Sequence, residues 1–437
     1  MRTREALQRS QNYPHAVMSY VGADGYPVSL ATNFKSDVER SSIEVGPMSE
    51  DMLPSDGQQM NLTFSHIRPV EEVGYDERRY INVHGQAAVN GDHVVVKAET
   101  ATGWDEKEIP FFEYCERNVG RGLAYLEDVG SKPRLAAGWL FFIATRLPFL
   151  TATIIPILLG ATVAASHGFF SWGLLGLTLL GGASLHLGLN VANDVFDDMS
   201  GADSANVTPT PFSGGSRVIQ YGLLTRRAMA MMSVLFYAVG IGVGIYLAET
   251  RGTELYILGI AGILVSIAYT APPFRLVNRG LGEGAVALGF GPITTLGAYF
   301  VMARDFSGEA LYASLPVAIF IALVLYLNEV PDRPADSAVG KRTLVVRWSK
   351  GAVVRGFFLA AATAYLLVVV GVALRILPVY TLGMLATIPM ARSVVRDLRQ
   401  NFDKPYELMP AMQRNTGLHL VAGLLLIVGY VVETHIW

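Results

Sequence analysis

The chain is poor in charge and nearly lacks cysteine. Of its 437 residues only 16% are Asp, Glu, Lys or Arg, while 51% are hydrophobic; a soluble globular protein carries about 25% charged residues. The formal net charge is −3, so bulk charge gives no ground for a nucleic-acid partner, and none is expected. Cys115 is the single cysteine. No disulfide framework can form, which fits a reducing compartment. Residues 1–15 are polar and lack an apolar signal core, so no cleaved secretory peptide is expected. Two glycosylation sequons, Asn61-Leu62-Thr63 and Asn206-Val207-Thr208, read as chance matches.

What is present is apolar sequence, unevenly spread. Residues 1–135 are mixed and polar; residues 136–437 are a series of long apolar runs. The split predicts a small soluble, mainly β domain followed by an all-α membrane bundle. In the first part, 16–21, 27–34, 61–64, 80–89 and 94–98 read as strands. Asn90-Gly91-Asp92 marks a hairpin, because Asn-Gly tolerates the positive φ of a tight turn. Residues 105–127 read as a helix, and 130–134 as a linker. From residue 138 onward there are nine apolar segments, near 139–165, 170–196, 228–248, 254–272, 283–302, 311–329, 356–374, 377–392 and 416–434. Each approaches the ~20 residues that span a bilayer as a helix; the eighth is short.

Basic residues alternate between the loops. Arg217, Arg226, Arg275, Arg279, Arg333, Lys341, Arg342, Arg347, Arg396 and Arg399 follow even-numbered segments, whereas Arg251, Arg304 and Arg375 follow odd-numbered ones. The positive-inside rule then puts residues 1–135 in the cytoplasm and Trp437 outside the cell membrane.

Two segments end alike: Asn190-Val-Ala-Asn-Asp194-Val-Phe-Asp-Asp198 and Asn328-Glu-Val-Pro-Asp332-Arg-Pro-Ala-Asp336. Both fit N-x-x-x-D-x-x-x-D. At four-residue spacing on a helix, successive side chains drift by only about 40°, so Asn190, Asp194 and Asp198 are expected on one face. Pro331 and Pro334 are expected to open the second helix and leave Asp336 on a loop. A carboxylate at membrane depth costs roughly 2.5–3.5 kcal/mol. Taken singly, either motif can also be read as polar residues capping a helix at the interface. As a pair they suit Mg²⁺, which favours oxygen ligands and shares them with substrate phosphates. The expected metal ligands are Asn190, Asp194, Asp198, Asn328, Asp332 and Asp336. Arg217 in Ser213-Gly-Gly-Ser216-Arg217, Lys341 and Arg342 after the second motif, Arg275 and Arg146 are the expected diphosphate partners.

These residues resemble the UbiA superfamily of intramembrane prenyltransferases. The resemblance rests on Thr145-Arg146-Leu-Pro148, the Asn190 motif followed by Gly201-Ala-Asp203, Gly214-Gly-Ser-Arg217, Tyr269-Thr-Ala-Pro-Pro-Phe-Arg275, Arg279-Gly-Leu-Gly-Glu283 and Asp332 to Thr343. Asn193-Asp194-Val-Phe-Asp197 with Gly-Gly-Ser-Arg is most similar to the branch that prenylates 1,4-dihydroxy-2-naphthoate in menaquinone biosynthesis. The resemblance implies nine transmembrane helices around a cavity, with a role for Tyr269 beside the prenyl carbocation and for Asp203 near the metal. One departure is Glu329 with two prolines, which leaves the acceptor open.

Residues 15–34 and 79–87 resemble the split β-barrel of pyridoxamine-phosphate oxidases and flavin reductases. This implies a flavin (FMN), with Thr32, Asn33 and Lys35 as its phosphate candidates, or else a cofactor-free domain that serves a dimer.

The expected chemistry is transfer of a polyprenyl group from its diphosphate to a small aromatic acceptor within the lipid bilayer. Asp194, Asp198, Asp332, Asp336 and Tyr269 are the expected catalytic residues. Other acceptors stay open: 4-hydroxybenzoate, homogentisate, a porphyrin-type ring or a glycerol-phosphate lipid. So do a transporter or membrane scaffold, and a flavin reductase with a membrane anchor.

Overall fold

A computed structural model describes residues 1–70 and 74–436; Trp437, expected outside the membrane, is not among them. The chain divides into two compact units, Met1–Asn118 and the remainder from Val119. The division falls inside helix α2 (Phe111–Asp128), which ends just before the linker expected at 130–134.

The first unit opens with α1 (Thr3–Ser10) and builds a seven-stranded sheet. Its strands are β1 (Ala16–Val21), β2 (Pro27–Thr32), β3 (Phe34–Asp37), β4 (Ser42–Val45), β5 (Gln59–Val70), β6 (Gly74–Asn90) and β7 (His93–Asp105), in the order β2-β1-β5-β6-β7-β4-β3. Only Asn33 separates β2 from β3, the two ends of that order. The sheet must therefore curl until its edges approach, which makes it barrel-like. Period-2 alternation sends Met18, Ile43, Leu62, Phe64, Val83, Val94 and Val96 into one core. The hairpin expected at Asn90-Gly91-Asp92 closes β6 on β7, with Asn90 opposite His93 and Gly91 at φ 62°. Sequence reading missed α1, β3 and β4. Thr32 is buried and donates its hydroxyl to the Asn33 carbonyl (3.0 Å), while Asn33 and Lys35 are exposed; this arrangement lends no support to flavin.

The second unit is helical. After α3 (Ala137–Ala144) come α4 (Thr151–Ser166), α5 (Trp172–Ser200), α6 (Ala202–Ala205), α7 (Arg226–Arg251), α8 (Glu254–Thr270), α9 (Gly282–Leu288) and α10 (Thr294–Ala303). Then follow α11 (Gly308–Ala338), α12 (Leu344–Arg347), α13 (Lys350–Ala373), α14 (Ile388–Asn401) and α15 (Pro405–Ile436). Among the described residues seven helical stretches of 20 to 31 residues are long and apolar enough to cross a membrane, and α8 is a shorter apolar helix of 17 residues. At 1.5 Å per residue, about 20 residues already cover the ~30 Å hydrocarbon core. The expected eighth segment is instead a 3₁₀ turn, Val379–Thr387, running into α14. The expected first segment is broken at Arg146, whose backbone is left-handed (φ 51°). Leu235, Val234, Ile257, Leu264 and Leu359 are each more than 60% exposed. A water-soluble fold does not display such a surface, whereas lipid covers it at no cost.

Inside the bundle, Ile155, Ile157, Leu159, Phe320, Phe357 and Tyr430 share one core. Close approaches are made through small residues: a Cβ on Gly160 of α4 would lie 2.3 Å from the Thr295 carbonyl of α10. Gly160→Val therefore pushes two helices apart. We expect a loss of about 1–3 kcal/mol from overpacking, read as a lower unfolding temperature in detergent; an unchanged temperature would contradict this packing.

Candidate active site

Helices α5 and α11 bring the two acidic motifs to one end of the bundle. The four-residue spacing does not decide which carboxylates face inward. A helix returns most closely to its starting face after seven residues, at 3.6 per turn. Asn190, Asn193 and Asp197 accordingly line a polar cavity of about 180 Å³, together with Arg146, Asp203, Asn328, Asp332, Asp336 and Lys341. Two expectations need correction here. Asp198 faces away, bonded by Arg226 Nε (2.6 Å) and Gln220 Nε2 (3.1 Å). Asp194 is 2% exposed, behind the cavity wall, where it pairs with Arg146 and accepts from Ser216 N (3.1 Å). Asp197, which the sequence motif passed over, takes the inward position.

The second motif also differs from expectation. Pro331 and Pro334 lie within α11, which continues to Ala338. Each proline forfeits one hydrogen bond, to the carbonyl four residues earlier, yet packing holds the helix. Asp336 is thus on the helix, not on a loop. Asp332 lies in the cavity wall but both of its oxygens are engaged, by Asn206 Nδ2 (2.8 Å) and Gly214 N (3.0 Å).

The loop at 206–217 thereby ties the two motifs together. Two of its amides are spent on protein carboxylates: Gly214 on Asp332 and Ser216 on Asp194. Gly214 and Gly215 both adopt φ 77°, a conformation that costs a residue with a Cβ roughly 1–2 kcal/mol. A Cβ on Gly215 would also fall 2.6 Å from Asp203 Oδ2. Arg217 is buried and donates to the Asp203 carbonyl.

Lys341 stands between the motifs. Its ammonium is 2.6 Å from Asp197 and 3.5 Å from Asp336. Burial alone would lower it, but Asp197 and then Asp336 more than offset that and hold it above its ordinary value. At Asp203, 4% exposed, the neutral form is favoured instead. Burial, reinforced by Asp197 and Asp194, pushes its carboxyl up to about 9. Its Oδ2 has no hydrogen-bond partner. Asn190 reaches the Thr145 carbonyl (3.0 Å). Arg275 and Arg342 are exposed and do not join the cavity-lining group.

A second, apolar cavity of about 220 Å³ adjoins the first. His186, Leu189, Tyr269, Val286 and Phe290 line both. Its lining includes Gly244, Gly259 and Gly262, where a Cβ would meet little or nothing, and Gly181, Gly182 and Gly240, which pack closely on neighbouring helices. His186 Nδ1 is bonded to Thr153 Oγ1 (2.7 Å), and its ring lies against Phe290. The arrangement joins a polar chamber lined by carboxylates, Arg146 and Lys341 to an apolar one.

A membrane helix bundle with paired acidic motifs over an apolar cavity is the architecture of an intramembrane transferase. The chain belongs to the UbiA prenyltransferase family, whose pattern matches residues 153–416, and it is an integral-membrane prenyltransferase. It is 27% identical over 294 residues to the 2-carboxy-1,4-naphthoquinone phytyltransferase of Synechocystis sp., covering 67% of this chain and 92% of that protein. It is 24% identical to the 1,4-dihydroxy-2-naphthoate octaprenyltransferase of Bacillus subtilis, covering 68% and 93%. It is 29% identical to the chloroplastic 2-carboxy-1,4-naphthoquinone phytyltransferase of Arabidopsis thaliana, covering 73% and 82%. A UbiA homologue from Archaeoglobus fulgidus, solved bound to DMAPP and Mg²⁺, aligns with TM-score 0.48 and 13% identity over 66% of this chain and 99% of that one.

Asp332→Ala removes the acceptor for Gly214 N. Amide exchange across residues 206–217 should then quicken roughly 10- to 100-fold, as expected for one buried charge-assisted hydrogen bond. Unchanged exchange, measured by mass spectrometry in detergent, would show that the loop is held by other contacts.

Proposed function

We propose that the chain transfers a polyprenyl group from polyprenyl diphosphate to 1,4-dihydroxy-2-naphthoate, with Mg²⁺, as a step of menaquinone biosynthesis. The observation that carries this is the convergence of Asp197 and Asp336 on Lys341 in a polar cavity that adjoins an apolar one. The naphthoate acceptor is supported by the names of the relatives above.

The donor set fits Mg²⁺: hard oxygens from Asp197, Asp203 and Asp336 border the cavity, and Asp203 Oδ2 has no partner. Among the described residues no three His, Cys, Asp or Glu are close enough to hold a metal unaided. Mg²⁺ bound with substrate takes part of its coordination shell from the substrate's phosphates. Asp197, Asp203 and Asp336 would hold it, with Asn190 and Asn328 beside them; when bound it supplies Lewis-acid charge neutralisation to the leaving group.

The chain's own residues do the rest. Lys341 and Arg146 face the phosphate oxygens and keep pyrophosphate bound as the C–O bond breaks and its electron pair departs. Tyr269, at the junction of the two cavities, turns its ring toward the allylic carbon, where an aromatic face favours developing positive charge. The apolar cavity takes the prenyl tail and excludes water, which would otherwise capture the cation. A ring carbon of the acceptor forms the new C–C bond, and the ring loses a proton or its carboxyl group as carbon dioxide. The excess of Lys and Arg in the loops that carry these motifs favours a cytoplasmic active site. Nine spans, counting α3–α4 as one and the 3₁₀–α14 stretch as another, agree with that sidedness.

The test is product mass spectrometry. Detergent-solubilised protein is incubated with geranylgeranyl diphosphate, Mg²⁺ and an acceptor pool led by 1,4-dihydroxy-2-naphthoate. A prenylated naphthoquinol that disappears with EDTA is the expected product; prenylation of a different acceptor would overturn the naphthoate reading alone. Asp197→Ala should lower transfer at least about 100-fold, on the scale of losing a preorganised electrostatic group, whereas Asp198→Ala should stay within a few-fold of the parent. Equal losses in both variants would argue against the inward role of Asp197. Gly262→Leu, which fills the apolar cavity, should reduce transfer of the longest prenyl chains first, read as a shift of product distribution toward shorter donors.

A further inference from the structure

Every carboxylate of the two motifs is held by the protein. Asp194 has Arg146 and Ser216 N; Asp197 has Lys341 and Asn193; Asp198 has Arg226 and Gln220; Asp332 has Asn206 and Gly214 N; Asp336 has Lys341. Two further carboxylates stand apart. Glu329 on α11 and Glu283 on α9 are 6% and 8% exposed, and none of their four oxygens has a hydrogen-bond partner. They lie near enough to interact directly with each other, and the Thr343 hydroxyl stands near Glu329 without completing a bond to it.

A carboxylate accepts hydrogen bonds and donates none. Leaving one buried without a donor is costly, more so in an apolar bundle. Glu329 is also aimed at the chemistry. It lines the polar cavity with Tyr269 and precedes Asp332 by three residues, about 4.5 Å along the helix axis. A group resting on it lies beside the junction where the prenyl carbon must be presented. Two buried carboxyl groups in contact share one proton, which leaves the pair's remaining lone pairs on the cavity side without a donor, and an aromatic substrate bearing hydroxyls brings one.

We propose that Glu329, backed by Glu283, is the hydrogen-bond acceptor that seats a ring hydroxyl of the aromatic substrate next to Tyr269. The inference rests on the reading that the acceptor is a hydroxylated ring, and it adds how this chain selects that ring. The ring carbon forms its bond to the prenyl group while the C–O bond to pyrophosphate breaks and takes its electron pair away. Positive charge then grows on the ring until it sheds a proton or its carboxyl group as carbon dioxide, and meanwhile its hydroxyl is a stronger donor. The bond to Glu329 strengthens as the reaction proceeds, so it assists turnover as well as binding.

The test compares 1,4-dihydroxy-2-naphthoate with its two mono-methyl ethers, using the full-length protein, geranylgeranyl diphosphate and Mg²⁺. One ether removes the donor that Glu329 needs, so the parent should prefer the free diol by roughly 10- to 100-fold in kcat/KM, the range for a hydrogen bond to a charged group. Glu329→Gln keeps the shape and replaces the carboxyl pair's acceptor with an amide. It should shrink that preference about 10-fold and raise the KM for the diol, with the KM for geranylgeranyl diphosphate unchanged. Glu283→Gln should act in the same direction and more weakly. A merely structural Glu329 would lower activity toward all three acceptors equally and leave the preference intact, which overturns the inference. A rise in the KM for the diphosphate instead would overturn it too. If the parent prenylates no hydroxylated ring at all, this inference falls together with the naphthoate reading; if it does and the preference is unmoved in Glu329→Gln, only this inference falls.

Discussion

One ammonium group, Lys341 Nζ, sits between Asp197 and Asp336 and joins two helices that are far apart in sequence. In an apolar bundle two facing carboxylates repel strongly, and neither is tolerated without compensation. The lysine supplies that compensation from the turn just after α11. Around it the protein distributes its remaining donors one by one: Asn206 and Gly214 N to Asp332, Arg146 and Ser216 N to Asp194. The loop at 206–217 is folded by those demands. Its positive-φ glycines at 214 and 215 let the backbone come close enough to serve carboxylates on both sides. The site is thus an electrostatic truss, and its geometry follows from which oxygens need a proton donor.

The same demands show what was readable in the sequence. Paired N-x-x-x-D-x-x-x-D motifs at the ends of apolar runs revealed a shared acidic chamber, because acidic residues at such depth need a cation. They did not reveal which acid faces inward. The four-residue repeat favoured Asp194 and Asp198, but drift about the helix axis accumulates; Arg146 in the cavity wall claims the first and Arg226 outside it the second. Asn193 and Asp197, four apart and bonded to each other at 3.0 Å, were visible in the sequence all along as the Asn-Asp-x-x-Asp core of the motif. A seven-residue return from Asn190 would have selected Asp197.

Prolines misled in an instructive way. In water a double proline signal reads as a helix end. In α11, Pro331 and Pro334 leave the carbonyls of Leu327 and Val330 without their usual donors, yet the helix persists to Ala338. Surrounding helices supply the packing that propensity lacks, as is common in membrane segments. The opposite error occurred at residue 146, where a continuous apolar run concealed a break. Arg146 needs to reach Asp194, and its left-handed backbone turns the chain there. In the N-terminal unit the long strands and the Asn-Gly hairpin were legible from alternation and turn chemistry. The four-residue strands β3 and β4 were not, since so short a run carries little periodic signal.

The cavity pair ties these local outcomes to function. The polar chamber is built from side chains that the bundle cannot leave unpaired, and the apolar chamber from glycines that the bundle could have filled. Glycine in a helix interior costs roughly 0.5–1 kcal/mol relative to alanine. Gly244, Gly259 and Gly262 on α7 and α8, where a Cβ would meet little or nothing, therefore give up stability for volume, whereas Gly181, Gly182 and Gly240 let neighbouring helices pack closely. The sacrifice makes sense where a long flexible chain has to lie against helix backbones. His186 and Tyr269, which line both chambers, then mark the only kind of place where a charged head and an apolar tail can be held at once. A substrate that combines the two in one molecule is the shape to which both halves of the bundle answer.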